Sequence, residues 1–501
     1  MPDCKPFVSR FLQAVRHYPE SAAVCKGNFV VSYARLAVMV NTVARTILNE
    51  APDEKRIAVA DQNDAWTYAS FIAINLLGKT YVPLHVRSPE LHQHKIIREA
   101  QLTVLLSSEE YLLPGLRRLI YDQSETHDVA AAVEYTIPAS RDEQPAYILF
   151  TSGSTGSPKG VPIYNRHLNA FFSYFLDSGL YDFSAADKVL QVYEASFDVS
   201  VFSAFLPLFI GGSVCLLPRK NYIYLEIPQA LEEYSISVLS MVPTVLHYLL
   251  PYLPAFEFKS LRYSFFSGDK LFHTLASAWS KCVPQARIIN CYGPTETTIV
   301  CTAYLWKENT AAIEALHDVV PLGKPFPGTD SLIIDLSGKE TPLGSVGELC
   351  LTGAQVIDAY LNNVFPEQFF DRVHSGSTIR YYRTGDLVSM NKQGNLLFAG
   401  RVDSQVKING YRVEPAEVEV AIRELTGSVM CAVFAHTDDS LRPVLYAFVE
   451  GKGAEEELRS SLKSRLQSQA IPARMVFLDK MPLNLHGKIN RNELINLLKI
   501  L

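Results

Sequence analysis

The chain is 501 residues long, 48% hydrophobic and 20% charged, with a formal net charge of −6. That length exceeds one ordinary core and predicts two or more domains, and the composition is that of a globular chain. The mild acidity argues against a nucleic-acid surface, and no run of eighteen apolar residues offers a membrane span. The opening stretch, MPDCKPFVSRFLQAVRHYPE, lacks the apolar core and small-residue cleavage site of a secretory leader. Eight dispersed cysteines without a CxxC pair read as reduced, mostly buried thiols of a cytoplasmic protein, not as a zinc site or disulfide framework.

Apolar runs of strand length recur along the chain: RIAVA, TVLLS, AYILF, KVLQV, GSVCLL, SVLSMV and ARIIN. Segments such as DAWTYASFIAINLLGK lie between them and are long enough for crossover helices, which predicts α/β layering with buried sheets. From about residue 325 shorter strands with turn residues take over, and NKQGNLLFAG reads as a hairpin in a more antiparallel region. After residue 400 the pattern breaks again. Pro415 is placed to start a helix whose Val418, Ile422 and Leu425 share one face. Two strands follow, SVMCAVFA and RPVLYAFVE, then a helix with Leu458, Leu462 and Leu466 on one face, expected to stop at Pro472. The last hundred residues read as a small α+β domain of their own.

Three loops invite a chemical reading. TSGSTGSPKG (151–160) leaves the strand YILF with glycines that let backbone N–H groups converge, hydroxyls that add donors, and a lysine. It is not a P-loop: counted from Gly153, Pro158 stands where the second glycine belongs and Gly160 where a hydroxyl residue should follow Lys159. By itself it could equally be a solvated Gly/Ser loop. NCYGPTE (290–296) follows the apolar ARII, with Tyr292 as a stacking face, a turn at Gly293–Pro294 and Glu296 as a possible Mg²⁺ ligand; by itself it could be a turn with a surface glutamate. YRTGDL (382–387) offers Asp386 to the hydroxyls of a ribose, or is ordinary turn chemistry.

In this order, LFTSGSTGSPKG, NCYGPTE, GELCLTG, YRTGDL, GRVDSQVKINGYRVEPAEVE and LNLHGKINR resemble the signature set of the adenylate-forming superfamily. The likeness is greatest to stand-alone nonribosomal peptide synthetase adenylation domains and D-alanine–carrier-protein ligases, and it runs from about residue 28 to residue 495. The resemblance implies a large N-terminal domain, 1–402, of layered α/β subdomains plus a β-rich subdomain. A small mobile C-terminal α+β domain, 403–501, would complete it. It implies activation of a carboxylate by ATP to an acyl-adenylate with release of pyrophosphate, then transfer to a thiol. Thr151, Ser152, Gly153, Ser154, Thr155, Gly156 and Lys159 would cradle the phosphates, and Glu296 would hold Mg²⁺. Asn290, Tyr292, Gly293, Thr295, Asp386 and Arg401 would contact the rest of the nucleotide, with Asp386 clamping the ribose. Lys488 resembles the catalytic lysine that holds the substrate carboxylate and α-phosphate together, although a tail lysine is ordinarily solvated. Asp403 matches the hinge about which the small domain turns, and Gly410 the loop that then meets the pantetheine arm.

ASFDVSVFSAF matches the motif in which amino-acid-activating members carry an aspartate for the α-ammonium, here Asp198; a helix N-cap is the competing reading. The pocket wall implied by the resemblance comprises Val199, Phe202, Ser240, Phe265, Ser267, Cys291, Ile299 and Val300. It holds no charge, so a small or modest uncharged side chain is expected, with alanine or serine the leading choices. No carrier segment is recognisable up to Leu501, so a carrier protein bearing phosphopantetheine is expected in trans. Two positions depart from the family pattern: His85 stands where aspartate is usual, and Asp269 where glutamate or a small residue is commoner. The rival readings are an acyl- or aryl-acid:CoA ligase of the same superfamily and a non-catalytic nucleotide- or amino-acid-binding homologue.

Overall fold

The computed structural model describes residues 7–107, 113–121, 144–152, 158–217, 223–309, 316, 318–374, 376–403, 405–428, 430–437, 442–483 and 489–498. The chain divides into two compact units. One comprises Met1–Val86, Ala100–Leu149 and Gly160–Gly400; the other comprises Arg87–Glu99, Phe150–Lys159 and Arg401–Leu501.

The first unit is built around a nine-stranded sheet. From one edge its strands are Lys324–Pro325, Thr302–Leu305, Arg287–Tyr292, Tyr263–Phe266, Val238–Met241, Lys188–Gln191, Ser213–Leu216, Ala22–Lys26 and Phe29–Ser32. The six from Arg287–Tyr292 to Ala22–Lys26 are parallel, and the flanking strands are antiparallel. Runs such as VLSM and SVCL are buried throughout, as parallel strands covered on both faces must be. The helix Val199–Ile210, VSVFSAFLPLFI, is apolar on every side and is buried from Val199 through Phe209. A second sheet has the order Arg117–Leu119, Val104–Leu106, Arg56–Asp61, Thr80–His85, Tyr147–Thr151, Lys159–Ile163. The helix Ala65–Leu76 packs against it and is started by Asp64, whose Oδ1 accepts from the Thr67 N–H at 2.8 Å. The change of pattern near residue 325 marks a five-stranded sheet in which Thr329–Ile334, Gly347–Gly353 and Ser377–Met390 pair antiparallel.

In the second unit the helix Pro415–Thr426 starts at its proline and buries Val418 and Ile422 completely, with Leu425 half-buried. It packs on the strands Cys431–Thr437 and Pro443–Glu450. The next helix differs from expectation, because it spans only Glu455–Lys463 and ends well before Pro472. Serines at its end bond back to the chain, Ser461 Oγ to Glu457 O and Ser464 Oγ to Ser461 O, and such bonds compete with the helical ladder. Leu466 lies in the turn beyond and still reaches the same apolar core as Leu458 and Leu462.

Glu417 is buried in the helix Pro415–Thr426. Burial pushes its carboxyl up to about 7, Glu414 adds to the rise, and the Lys95 ammonium opposes it. A carboxyl raised in the fold is carried at no cost below its ordinary value near 4.5, and it weakens the fold as pH climbs through the raised value. Glu417→Gln is therefore expected to match the wild type near the acid end and to exceed it in stability at alkaline pH, by on the order of 3 kcal/mol. Denaturant unfolding of both proteins across that range checks this; a constant difference at every pH would show that the carboxyl titrates normally.

Candidate active site

The parallel strands of the nine-stranded sheet end together. Ser240 is in Val238–Met241 with Phe265 as its register partner on Tyr263–Phe266, Ser267 follows that strand, and Cys291 is near the end of Arg287–Tyr292. Ligands of open α/β sheets bind outside the carboxyl ends of such strands. Phe202 reaches Phe265 from the helix Val199–Ile210, with ring centroids 5.3 Å apart at 80°. All eight wall residues expected from the sequence are buried in this unit, and burial pushes the Cys291 thiol well up.

Asp198 stands immediately before the helix Val199–Ile210 but does not cap it. Its backbone is helical and its side chain makes no capping hydrogen bond. Burial raises the phenols of Tyr147 and Tyr193, and the charge of the half-buried Asp198 carboxylate adds to both.

Ile299 and Val300 belong to a loop with an unusual backbone. Thr298 and Ile299 have φ of 59° and 71°, a left-handed conformation that is costly for a β-branched residue. Gln355 holds it there: its Nε2 donates to the carbonyls of Thr297, Thr298 and Val300, and its own carbonyl accepts from Thr298 Oγ1 at 2.6 Å. Gly293 is needed for the same fold-back, since a Cβ there would lie 2.6 Å from Val300 Cα.

Glu296 is completely buried on the turn Thr295–Thr297, and its Oε1 accepts from Tyr360 Oη at 2.6 Å. Its carboxylate supplies the hard oxygen donors that Mg²⁺ prefers. Mg²⁺, which takes one or two carboxylates and completes its shell from phosphates and water, fits such a site. Among the described residues no group of three or more His, Cys, Asp or Glu side chains could hold a metal.

Asp386 is turned inward where the ladder between Gly347–Gly353 and Ser377–Met390 shifts register, with Gly385 at φ 72°. Thr384 Oγ1 donates to Leu349 O at 2.8 Å and accepts the Asp386 N–H. Asp386 Oδ2 accepts from Tyr292 Oη at 2.5 Å, and burial together with this carboxylate raises the phenol far above its usual range, so it stays a donor. Asn290 is buried with its Nδ2 donating to the carbonyls of Val320 and Pro321, an anchor for the strand that carries Tyr292.

The remaining candidates fall in the second unit. Lys159 is buried, Ser152 Oγ donates to Arg412 O at 2.7 Å, and Thr151 Oγ1 is buried without a hydrogen bond to any described residue. Gly153, Ser154, Thr155, Gly156 and Lys488 lie outside the described residues. Arg401 grips Asp403 with two bonds, Nε to Oδ1 at 2.7 Å and Nη2 to Oδ2 at 2.8 Å. Burial alone would raise the Asp403 carboxyl, but Arg401 outweighs it and holds it below the ordinary range. Gly410 has φ 83° after Asn409 at 53°, the two-residue turn between the paired strands Val406–Ile408 and Tyr411–Val413.

Sequence reasoning passed over Tyr360, Gln355 and Tyr193. The first two act from more than fifty residues away along the chain and carry no motif; Tyr193 follows a parallel strand as Ser267 does, and that position was its signal. Both departures from the family pattern have local partners: His85 Nε2 lies 3.3 Å from Glu194 Oε1, and Asp269 Oδ2 accepts from Thr244 Oγ1 at 3.0 Å.

The pattern of the family described as AMP-binding enzyme matches residues 11–361, and that of the AMP-binding enzyme C-terminal domain matches residues 417–488. The chain belongs to this family of adenylate-forming enzymes, whose chemistry uses ATP. Within it the chain is close to the adenylation domains of nonribosomal peptide synthetases. It is 30% identical over 504 residues to malpibaldin synthetase of Mortierella alpina, a match covering 97% of this chain and 9% of that protein. It spans between 6% and 19% of the length of the curated synthetases it matches. The adenylation domain AlmE of Vibrio cholerae, solved with glycyl-adenosine-5′-phosphate, matches with TM-score 0.85 at 25% identity, over 100% of this chain and 99% of that one. The o-succinylbenzoate CoA synthetase MenE of Bacillus subtilis shares the fold, with TM-score 0.80 at 20% identity over 98% of both chains. The mixed α/β class with a large N-terminal and a small C-terminal domain is that of these relatives.

Proposed function

We propose that this enzyme activates an amino acid with a small uncharged side chain as its aminoacyl-adenylate and passes it to the phosphopantetheine thiol of a carrier protein. The observation that carries the reading is Asp198, a carboxylate at the edge of an uncharged pocket wall that does not cap its helix. A carboxylate in that place favours an α-ammonium and disfavours a simple acyl chain. In this reading Lys159 and the loop before it offset the charge of the phosphates, which otherwise repel the incoming carboxylate. Glu296 would hold Mg²⁺, which supplies charge neutralisation at the phosphates. Asp386 and Tyr292 position the ribose and adenine side, and Lys488 holds the carboxylate and α-phosphate oxygens together. The domain boundary falls at Asp403, about which residues 403–501 turn between the half-reactions. We place the protein in the cytoplasm; the seven described cysteines are free thiols, and no described helix is long and apolar enough to cross a membrane.

ATP–pyrophosphate exchange across all amino acids, with and without magnesium, tests the first half-reaction. Aminoacylation of a carrier protein added in trans, against CoA as competing acceptor, tests the second. Activation of des-amino acids with transfer to CoA alone would favour a CoA ligase, and no exchange at all a binding homologue.

Gly410→Leu is expected to cut transfer to the carrier by about tenfold or more while exchange stays within about threefold of wild type. Because Gly410 is left-handed, backbone strain can contribute to that loss. Gly410→Asn, which tolerates the conformation, separates the two causes. Transfer recovered in the asparagine variant would assign the loss to strain, and exchange falling in step with transfer would count against a turning domain.

A further inference from the structure

Tyr193 lies two residues beyond the strand Lys188–Gln191, at the sheet end that also carries Ser240, Ser267 and Cys291. Its hydroxyl is buried and makes no hydrogen bond to any described residue. Burial raises this phenol; the Ser240 and Ser267 hydroxyls come next, near enough to lower it though neither is hydrogen-bonded to it, and Asp198 and Cys291 then raise it. The tip of the ring therefore lies among the pocket residues and not in the core behind them.

The backbone that carries Tyr193 is pinned on both sides. Gln191 Oε1 accepts the Tyr193 N–H at 3.1 Å, and its Nε2 donates to Ser200 O at 2.9 Å, tying the segment to the helix Val199–Ile210. Two residues on, the Ala195 N–H donates to Asp61 Oδ2 at 2.8 Å. The main chain at Tyr193 therefore cannot shift cheaply to make room for a long substrate. Buried hydroxyls are rarely left without a partner, and a group that arrives with the ligand is a ready one. Sites built to bond a substrate hydroxyl also reject the analogue that lacks it, because their own polar groups are then stranded.

We propose that Tyr193 is a specificity-determining residue: its ring limits the depth of the side-chain pocket, and its hydroxyl, with Ser240 and Ser267, bonds a hydroxyl on a short substrate side chain. The substrate class is then a serine- or threonine-like amino acid. This rests on the amino-acid-activating reading of Asp198.

The test is pyrophosphate exchange by the wild type, Tyr193→Phe and Tyr193→Ala with serine, alanine, threonine, 2-aminobutyrate, norvaline, leucine and 3-hydroxypropionate. The wild type should prefer serine to alanine and threonine to 2-aminobutyrate by about tenfold or more. Tyr193→Phe, which loses one oxygen, should shrink that preference to within about threefold by losing the hydroxylated acids and sparing the others. Tyr193→Ala should accept norvaline or leucine about tenfold better than the wild type does. A wild type without the hydroxyl preference, a Tyr193→Phe that keeps it, or a folded Tyr193→Ala with no gain for longer chains overturns the proposal. If Tyr193→Ala does not fold, Tyr193→Phe decides. Failure of the amino-acid reading shows separately, as equal use of 3-hydroxypropionate and serine by the wild type, and the Tyr193→Phe ratio then still tests the hydroxyl contact. Exchange with none of these acids overturns both.

Discussion

Asp198→Ala is expected to lower kcat/KM for the amino acid by roughly two to three orders of magnitude. Removing one partner of a desolvated ion pair costs about 3–5 kcal/mol, and each ~1.4 kcal/mol is tenfold. The corresponding des-amino acid, which never used the contact, should lose far less. The helix Val199–Ile210 should not lose stability through its cap, because Asp198 gives it no capping bond. A helix cap would behave in the opposite way, costing about 1 kcal/mol of stability without discriminating between the two acids. Steady-state exchange with both acids, alongside a thermal melt, separates the cases. Equal use of both acids by the wild type would remove the ammonium role and move the enzyme toward the CoA ligases.

Lys488→Ala should reduce adenylate formation by about a hundredfold to a thousandfold or more, the size of effect found when a preorganised charge at a developing anion is removed. Transfer from a pre-made adenylate to the carrier should survive nearly intact, since this lysine acts only in the first half-reaction. The measurement is exchange in parallel with single-turnover transfer of the synthetic adenylate. Equal loss in both half-reactions would sink the assignment.

The sheets were legible because their strands are buried on both faces and therefore read as unbroken apolar runs; KVLQV, GSVCLL and SVLSMV became neighbouring parallel strands. The start of the helix Pro415–Thr426 was legible from Pro415 itself. The end of Glu455–Lys463 was not, because its leucine spacing continues to Leu466 while the serines already bond to the backbone. At the site, the loops could be found because their residue types are unusual together. What completes them could not: Tyr360 over Glu296 and Gln355 behind Val300 are single common residues brought in by tertiary folding. For Asp198 the sequence offered cap and ion partner alike, and only the absence of a capping bond separates them.

The Gln355 clasp has a consequence for how such a pocket can be altered by selection or by an engineer. Because one buried amide fixes the carbonyls of Thr297, Thr298 and Val300, the course of the main chain there does not depend on which side chains it displays. Side chains can be exchanged on that wall with the scaffold unmoved, so a new preference need not wait for a rebuilt loop. At Ile299, where φ is 71°, a β-branched side chain carries backbone strain. Glycine there would release that strain, but it would also remove an isoleucine side chain that is 2% exposed, and the lost burial outweighs the relief, so a wider pocket at this position comes with a less stable protein.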